Sequence, residues 1–435
     1  MLSVSSALNI FSFQGQRFNR EDTESTEGKE KEETFMDQKR RDFLSATAAA
    51  ATLSAAGPLL AQPMPSAVPE VAVAQMSGPS VAVPGYAAPT EIKKIEIFNL
   101  RELEGLAQKV IPAGGFGYIS SAAGDEWTKR ENEAAYKRLT IVPRYLSGYK
   151  DANMSTTLLG AKIAMPIITS VMGGHGMAHV TAEAGTAKGT DAAGTLFTAP
   201  SQSTLTMEEI AKASPGPKWF QIYMPDDQGE AKELLQRAKA AGYLAIVLTI
   251  DGVISSNRET DRRNHFVSPL PQGNFPEPRS GNRRPFKPNL GWDDVAFIQQ
   301  VTGLPVILKG VLSPEFAVMA VDHGCAGIQV SNHGGRNLDD VPASITVLPR
   351  IADAVGGRLA IVIDGGIRRG QDVFKALALG ANAVAIARPI MYGLGLGGWM
   401  GVQVVLEHLK GELEMTMRLA GAKSIGEITK HYLTA

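Results

Sequence analysis

The chain has 435 residues, enough for two or three domains of ordinary size or for one large β/α barrel. Its 43 basic and 44 acidic residues leave a net charge of −1, so no global basic field points to nucleic acid or an anionic membrane. Hydrophobic residues at 44% and charged residues at 20% exclude a mainly disordered chain, and the single cysteine, Cys325, excludes intramolecular disulfides, a Cys-rich zinc site and a CxxCH haem attachment.

The first ninety residues differ in kind from the rest. Residues 20–41 are charged and carry one aromatic, Phe35, so they have little to bury. Lys39-Arg40-Arg41-Asp42-Phe43-Leu44 then leads into an Ala-rich, mildly apolar run that ends at Ala61-Gln62. This pattern over 36–62 resembles a twin-arginine export signal, with a helical Ala-rich tail as the alternative. Met36 stands where such a signal would begin, so residues 1–35 are expected to be untranslated or disordered. Residues 63–90 read as a Pro/Ala/Val linker. The expected destination is the periplasm of a bacterium, and export of an already folded protein suits an enzyme carrying a non-covalent cofactor. No histidine precedes His175, so this region holds no haem-ligand pair.

From about residue 160 one theme repeats: a short apolar run, a Gly-rich or polar turn, then an amphipathic stretch. The runs are 164–171, 194–198, 219–224, 244–250, 305–309, 327–331, 359–364 and 383–387. Near-continuous apolar runs fit parallel strands buried on both faces. Helical spacing of apolar residues appears between them, as in 230–241 and 371–379. Eight such units predict a TIM (β/α)8 barrel, with a doubly wound open sheet as runner-up. Residues 91–160 are expected to form an N-terminal cap. About 55 residues separate the fourth and fifth runs, and their Pro-, Gly-, Asn- and Arg-rich middle (269–288) reads as a lid over the barrel mouth.

In a TIM barrel the chemistry gathers at the C-terminal strand ends. Asp364-Gly365-Gly366-Ile367-Arg368 follows the seventh run and Ala387-Arg388 the eighth, where backbone N–H groups, a helix N-terminus and arginines can hold a phosphate. His333, past the sixth run in Ser331-Asn332-His333-Gly334-Gly335-Arg336, is placed to act as a general base. Asp251, at the fourth end, can orient and stabilise its imidazolium. Arg258 and Arg336 suit capture of a small carboxylate. His175 and His179 read as capping or packing residues. Lys309 closes a wholly apolar strand and needs a partner or a depressed pKa; it could form a Schiff base or stand beside an anionic cofactor ring.

Seven stretches carry a resemblance to the FMN-dependent 2-hydroxy acid oxidase and dehydrogenase family. They are KVIPAGGFGYISSAAGDEWTKRENEAAYKR (109–138), WFQIYM (219–224), LTIDGVISSNRETD (248–261), LPVILKG (304–310), VSNHGGR (330–336), DGGIRRGQDVFKALALGA (364–381) and ARPIMYGLGLGGW (387–399). The first and last are most similar to the lactate oxidase branch. The resemblance implies bound FMN and oxidation of a small (S)-2-hydroxy acid, lactate-like, to the 2-keto acid. His333 would take the hydroxyl proton with Asp251 as partner, while the Cα hydrogen passes, formally as hydride, to flavin N5. Arg258, Arg336, Tyr118 and Tyr223 would hold the substrate. Val171, Met172, Gly173, Gln221, Thr249, Lys309 and Ser331 would meet the flavin, Asp364 the ribityl chain, and Gly365, Gly366, Arg368, Ala387 and Arg388 the phosphate end.

The resemblance further implies a homotetramer that hands electrons to O2, a quinone or a cytochrome, with no metal. Three positions depart from the family pattern. Pro200 replaces a flavin-contacting Ser, Gln202 stands where lactate oxidase carries a Tyr, and Gly173 replaces an Ala, which predicts extra space beside the flavin. The lid also has no tyrosine to close over the site. Two rival readings are a Schiff-base lyase using Lys309 and a non-catalytic periplasmic ligand-binding barrel.

Overall fold

A computed structural model of the chain describes residues 80–81, 83–275 and 286–434. The expected untranslated stretch, the export signal, the linker up to residue 79 and the lid segment 276–285 lie outside the described residues.

Three helices come first: α1 (Glu102–Ala107), α2 (Ala113–Ser120) and α3 (Trp127–Lys137). The barrel strands follow as β1 (Ile167–Thr169), β2 (Phe197–Pro200), β3 (Lys218–Ile222), β4 (Ile246–Thr249), β5 (Val306–Val311), β6 (Gly327–Val330), β7 (Ala360–Asp364) and β8 (Ala383–Ile386). Each pairs in parallel with its sequence neighbour, and β8 closes onto β1 through Val384–Ile167 and Ile386–Thr169. Every strand overlaps one of the eight apolar runs, and closure excludes the open sheet.

The outer helices alternate with the strands: α4 (Ala182–Ala192), α5 (Met207–Ala213), α6 (Gln228–Ala240), α7 (Glu259–Arg263, within the lid), α8 (Trp292–Thr302), α9 (Pro314–Asp322), α10 (Ser344–Val355), α11 (Gly370–Ala378) and α12 (Arg388–Ala420). Local sequence starts several of them. Asp227 Oδ1 accepts from Glu230 N at α6, and Ser313 Oγ from Phe316 N at α9, where Pro314 occupies the first turn. α12 is long and apolar enough to cross a membrane by length and composition, but it is interrupted at Gly397 and Gly398 and mostly buried.

The barrel interior is filled by Ile168, Trp219, Val247, Ile307, Val362 and Ala385, among others. A hairpin of strands Thr156–Leu158 and Ala161–Ile163, immediately before β1, adds Leu158, Ala161 and Ile163 to that cluster and closes its N-terminal end. The C-terminal end is left for a site. There α3 is fastened to the loop after β6: Asp339 accepts from Trp127 N and Thr128 N, and Asn132 and Asn332 exchange amide hydrogen bonds at 2.8 Å each way.

The last part of the expected linker belongs to the barrel surface instead. Val81 N donates to Val180 O, Val180 N to Pro89 O, and Tyr86 OH to Met177 O. Composition alone does not reveal backbone pairing. The described flanks of the lid are pinned too. Buried Asn274 donates to Ser201 O and Ser203 Oγ, and Phe286 bridges to Pro225 beyond β3.

Between Lys309 and Val311 the register of β5 slips at Gly310, whose φ is +113°. A Cβ there would lie 2.8 Å from Asp251 Cβ and Cγ, so the bulge and the carboxylate occupy adjoining space only because the residue is glycine. Gly310→Ala is expected to destabilise the protein by about 1–3 kcal/mol. Urea unfolding checks this; an unchanged midpoint would show that the bulge relaxes freely.

Candidate active site

The C-terminal strand ends and α2 enclose one cavity of about 1260 Å³, counting its open mouth. All the expected site residues line it except Asp251, Thr249 and Ser331. These three stand one layer behind. Asp251 backs His333, Thr249 Oγ1 accepts from Gln221 Nε2 at 2.9 Å, and Ser331 Oγ accepts from His333 N at 3.0 Å. Thr249 and Ser331, expected as direct flavin contacts, also orient the residues in front of them, and each hydroxyl, accepting in these bonds, keeps its own O–H to donate. A strand end places such residues near the mouth, but local turn geometry decides where their hydroxyls point.

At the centre, His333 Nδ1 lies 2.8 Å from Asp251 Oδ1, while Tyr223 OH lies 3.3 Å from Nε2. His333 holds φ +57°, an uncommon conformation outside glycine, and the Ser331 bond to its own N–H helps fix it. Lys309 Nζ reaches both partners, 3.3 Å from His333 Nδ1 and 3.9 Å from Asp251 Oδ2. Burial alone would raise the Asp251 carboxyl, but the charges of His333 and Lys309 outweigh it and hold the group below its ordinary range. For His333, burial pushes the imidazole down; Asp251 pulls it up, Lys309 and Arg336 oppose that pull, and the ring stays below its ordinary value. The result is a neutral imidazole beside an ionised carboxylate near pH 7, as a general base requires.

Beside this pair, two guanidiniums lie against the Tyr118 ring, Arg336 4.8 Å and Arg258 5.1 Å from its centroid. Arg336 donates to Tyr118 O and Ser121 O, and Arg258 pairs with Asp261 at 3.0 Å, so both forks are held in place. Phe286 stacks on Tyr223 with ring centroids 4.6 Å apart. Where the lid lacks a tyrosine, this phenylalanine forms part of the wall.

The far end fits the expected FMN. Asp364 is buried, and its Oδ2 accepts from Gln329 Nε2 at 2.6 Å, but its buried Oδ1 has no hydrogen-bond partner, a vacancy a ribityl hydroxyl would fill. Gly366 packs so tightly on α3 that a Cβ would lie 1.9 Å from Asn132 O. Arg368 pairs with Glu133 at 3.0 Å, and Arg388 is fixed by Ile119 O, Ser121 O and Gly334 O. Gly370 N at the start of α11 is taken by Glu412 and Arg369 N before it by Asp372, while in the first turn of α12, which begins in the cavity wall, Pro389 has no N–H and Ile390 N and Met391 N donate to Ala387 O. A phosphate there would be served chiefly by the two arginines, both of which line the cavity.

The three departures line the cavity as well. A Cβ on Gly173 would meet Gln202 O at 3.3 Å, so the expected extra space is already bounded by the β2 loop. His175 and His179 do not enter the site: His175 bonds Thr186 Oγ1 and Met172 O, and His179 bonds Thr181 Oγ1 and Glu91 O. Lys309, with the Asp251 countercharge beside it, lends the Schiff-base reading no support. Residues missed from the sequence include Gln329, Asn132, Phe286 and Asn337. Only Asn337 carried a signal, as a polar residue one helical turn beyond His333.

Replacing Asp251 with Asn removes the anion that favours imidazolium, so His333 should protonate at a lower pH than in the wild type. A ¹⁵N NMR titration of the ring checks this, and an unmoved or rising titration would contradict it.

Comparison with known proteins agrees with this geometry. Residues 107–435 match the family described as FMN-dependent dehydrogenase. The L-lactate oxidase of Lentilactobacillus hilgardii is 43% identical over 358 residues, covering 80% of this chain and 97% of that protein. The glycolate oxidase of Spinacia oleracea is 41% identical over 356 residues, covering 78% of this chain and 96% of that protein. A solved structure from Pediococcus acidilactici, described as a lactate oxidase, superposes with a TM-score of 0.79 at 43% identity, covering 81% of this chain and 99% of that one. With its closed barrel, the cavity at its C-terminal strand ends and its His333–Asp251 pair, the chain belongs to the FMN-dependent dehydrogenase family.

Proposed function

We propose that the protein oxidises a small (S)-2-hydroxy acid of the lactate type to the 2-keto acid, with His333 as the base. The observation that carries this reading is the juxtaposition in one cavity of the His333–Asp251 pair, the Tyr223 hydroxyl and two guanidiniums flanking Tyr118. Arg258 and Arg336 hold the substrate carboxylate, each packed against the Tyr118 ring. Tyr223 hydrogen-bonds the substrate hydroxyl and directs it to His333 Nε2, which takes its proton. The resulting imidazolium donates from Nδ1 to Asp251, whose charge stabilises it as it forms. Bound FMN supplies the two-electron acceptor for the substrate's Cα hydrogen. Lys309, buried and lining the cavity, would supply positive charge to the reduced flavin, and Gln221, held by Thr249, would hydrogen-bond it.

The lactate and glycolate oxidases among the relatives favour dioxygen as the electron acceptor. We also infer twin-arginine export, from Arg40-Arg41-Asp42-Phe43-Leu44 and the Ala-rich run after it, and assembly as a homotetramer. Cell fractionation of an Arg40→Lys/Arg41→Lys variant tests the first, and light scattering the second.

His333→Ala should retain FMN and lose about 10²–10⁴-fold in anaerobic flavin reduction. Stopped-flow absorbance measures this, and near-normal reduction would defeat the assignment. With wild-type protein, anaerobic bleaching by L-lactate should exceed that by acids with larger side chains. Rapid recolouring on admission of air marks an oxidase; recolouring only with a quinone or cytochrome marks a dehydrogenase.

A further inference from the structure

Asn337 lies four residues beyond His333, in the chain that leaves the catalytic turn. Its Nδ2 donates to the Asp251 carbonyl at 2.7 Å, stands 2.9 Å from His333 Nδ1 and lies 3.5 Å from Asp251 Oδ1. The reverse amide orientation would set two acceptor oxygens against each other, so the NH2 group must face this side. One hydrogen serves the Asp251 carbonyl. The second points at the nitrogen that Asp251 Oδ1 also claims.

We propose that Asn337 is a positioning residue for the base, competing with Asp251 for His333 Nδ1 and so deciding which ring nitrogen carries the proton before substrate binds. This rests on His333 being the base. With the proton on Nε2, Nδ1 accepts from Asn337; with it on Nδ1, the ring donates to Asp251. Only the second form turns a lone pair toward Tyr223 and the substrate hydroxyl. When Nε2 takes the substrate proton, Nδ1–H must donate to Asp251, and the displaced Asn337 N–H finds Asp251 Oδ1 within reach. The other groups facing the ring are Lys309 from β5, Tyr223 from the end of β3 and Arg336 from its own turn. None of these bridges Asp251 and His333 with a neutral donor.

The test uses FMN-loaded protein labelled with ¹⁵N-histidine. Asn337→Leu removes the donor at similar size, Asn337→Ala removes it without bulk, and Asn337→Gln keeps an amide. Losing a hydrogen bond to the unprotonated Nδ1 makes protonation easier. Leu and Ala should therefore move the ring toward the Nδ1–H tautomer and shift the acid limb of kcat/KM upward by about half to one pH unit. Gln should restore both toward wild type. Unmoved ring shifts and an unmoved limb in the Leu and Ala variants would overturn the proposal, as would a shift in only one of the two. A His333→Ala variant that still reduces flavin would defeat the base reading itself, so the two failures are told apart.

Discussion

The barrel mouth is organised around one recessed negative charge. Asp251 is drawn into a space that exists because Gly310 has no side chain, and it is kept ionised there by His333 and Lys309. A carboxylate withdrawn from water is costly unless it is paired, and here Lys309 on β5 and His333 in the turn after β6 share it. That sharing sets the direction of the His333 ring, and the ring sets where Nε2 meets Tyr223. The base, its orientation and the placement of the buried lysine are thus one electrostatic arrangement.

Around it the structure is assembled by polar clamps between distant segments. The reciprocal Asn132–Asn332 amides hold α3 to the catalytic turn, and Arg336 reaches back to the carbonyls of Tyr118 and Ser121. Arg388 does the same through Ile119 O and Ser121 O. The N-terminal helices are therefore part of the site wall. They supply Tyr118, against which both arginines pack.

Much of this was legible in the sequence, for identifiable reasons. Parallel strands buried on both faces must be almost wholly apolar, so the eight barrel strands announce themselves, and their ends name His333, Asp251, Lys309 and Asp364. Side-chain facing was less legible. Thr249 and Ser331 sit at strand ends but bond to the residues in front of them. Gln329, Asn132 and Asn337 act through partners remote in sequence or through a turn geometry that composition does not encode. Gly173 shows the same limit from the other side: a missing methyl suggests open space until Gln202 O is found bounding it.

The clamps also bear on the order in which the chain can be completed. The Asn132–Asn332 pair joins residues 200 apart, and the Arg336–Tyr118 bond spans 218. During synthesis at ~5–20 residues per second, the early helices would wait roughly 10–40 s for the turn that secures them. Until then the apolar underside of α1–α3 has no finished barrel to cover it, and the cofactor cavity lacks a wall. Contacts of such long sequence separation form late and slowly. The N-terminal helices thus gain their anchors only once the turn after β6 is made, and the barrel itself closes later still, when β8 pairs with β1.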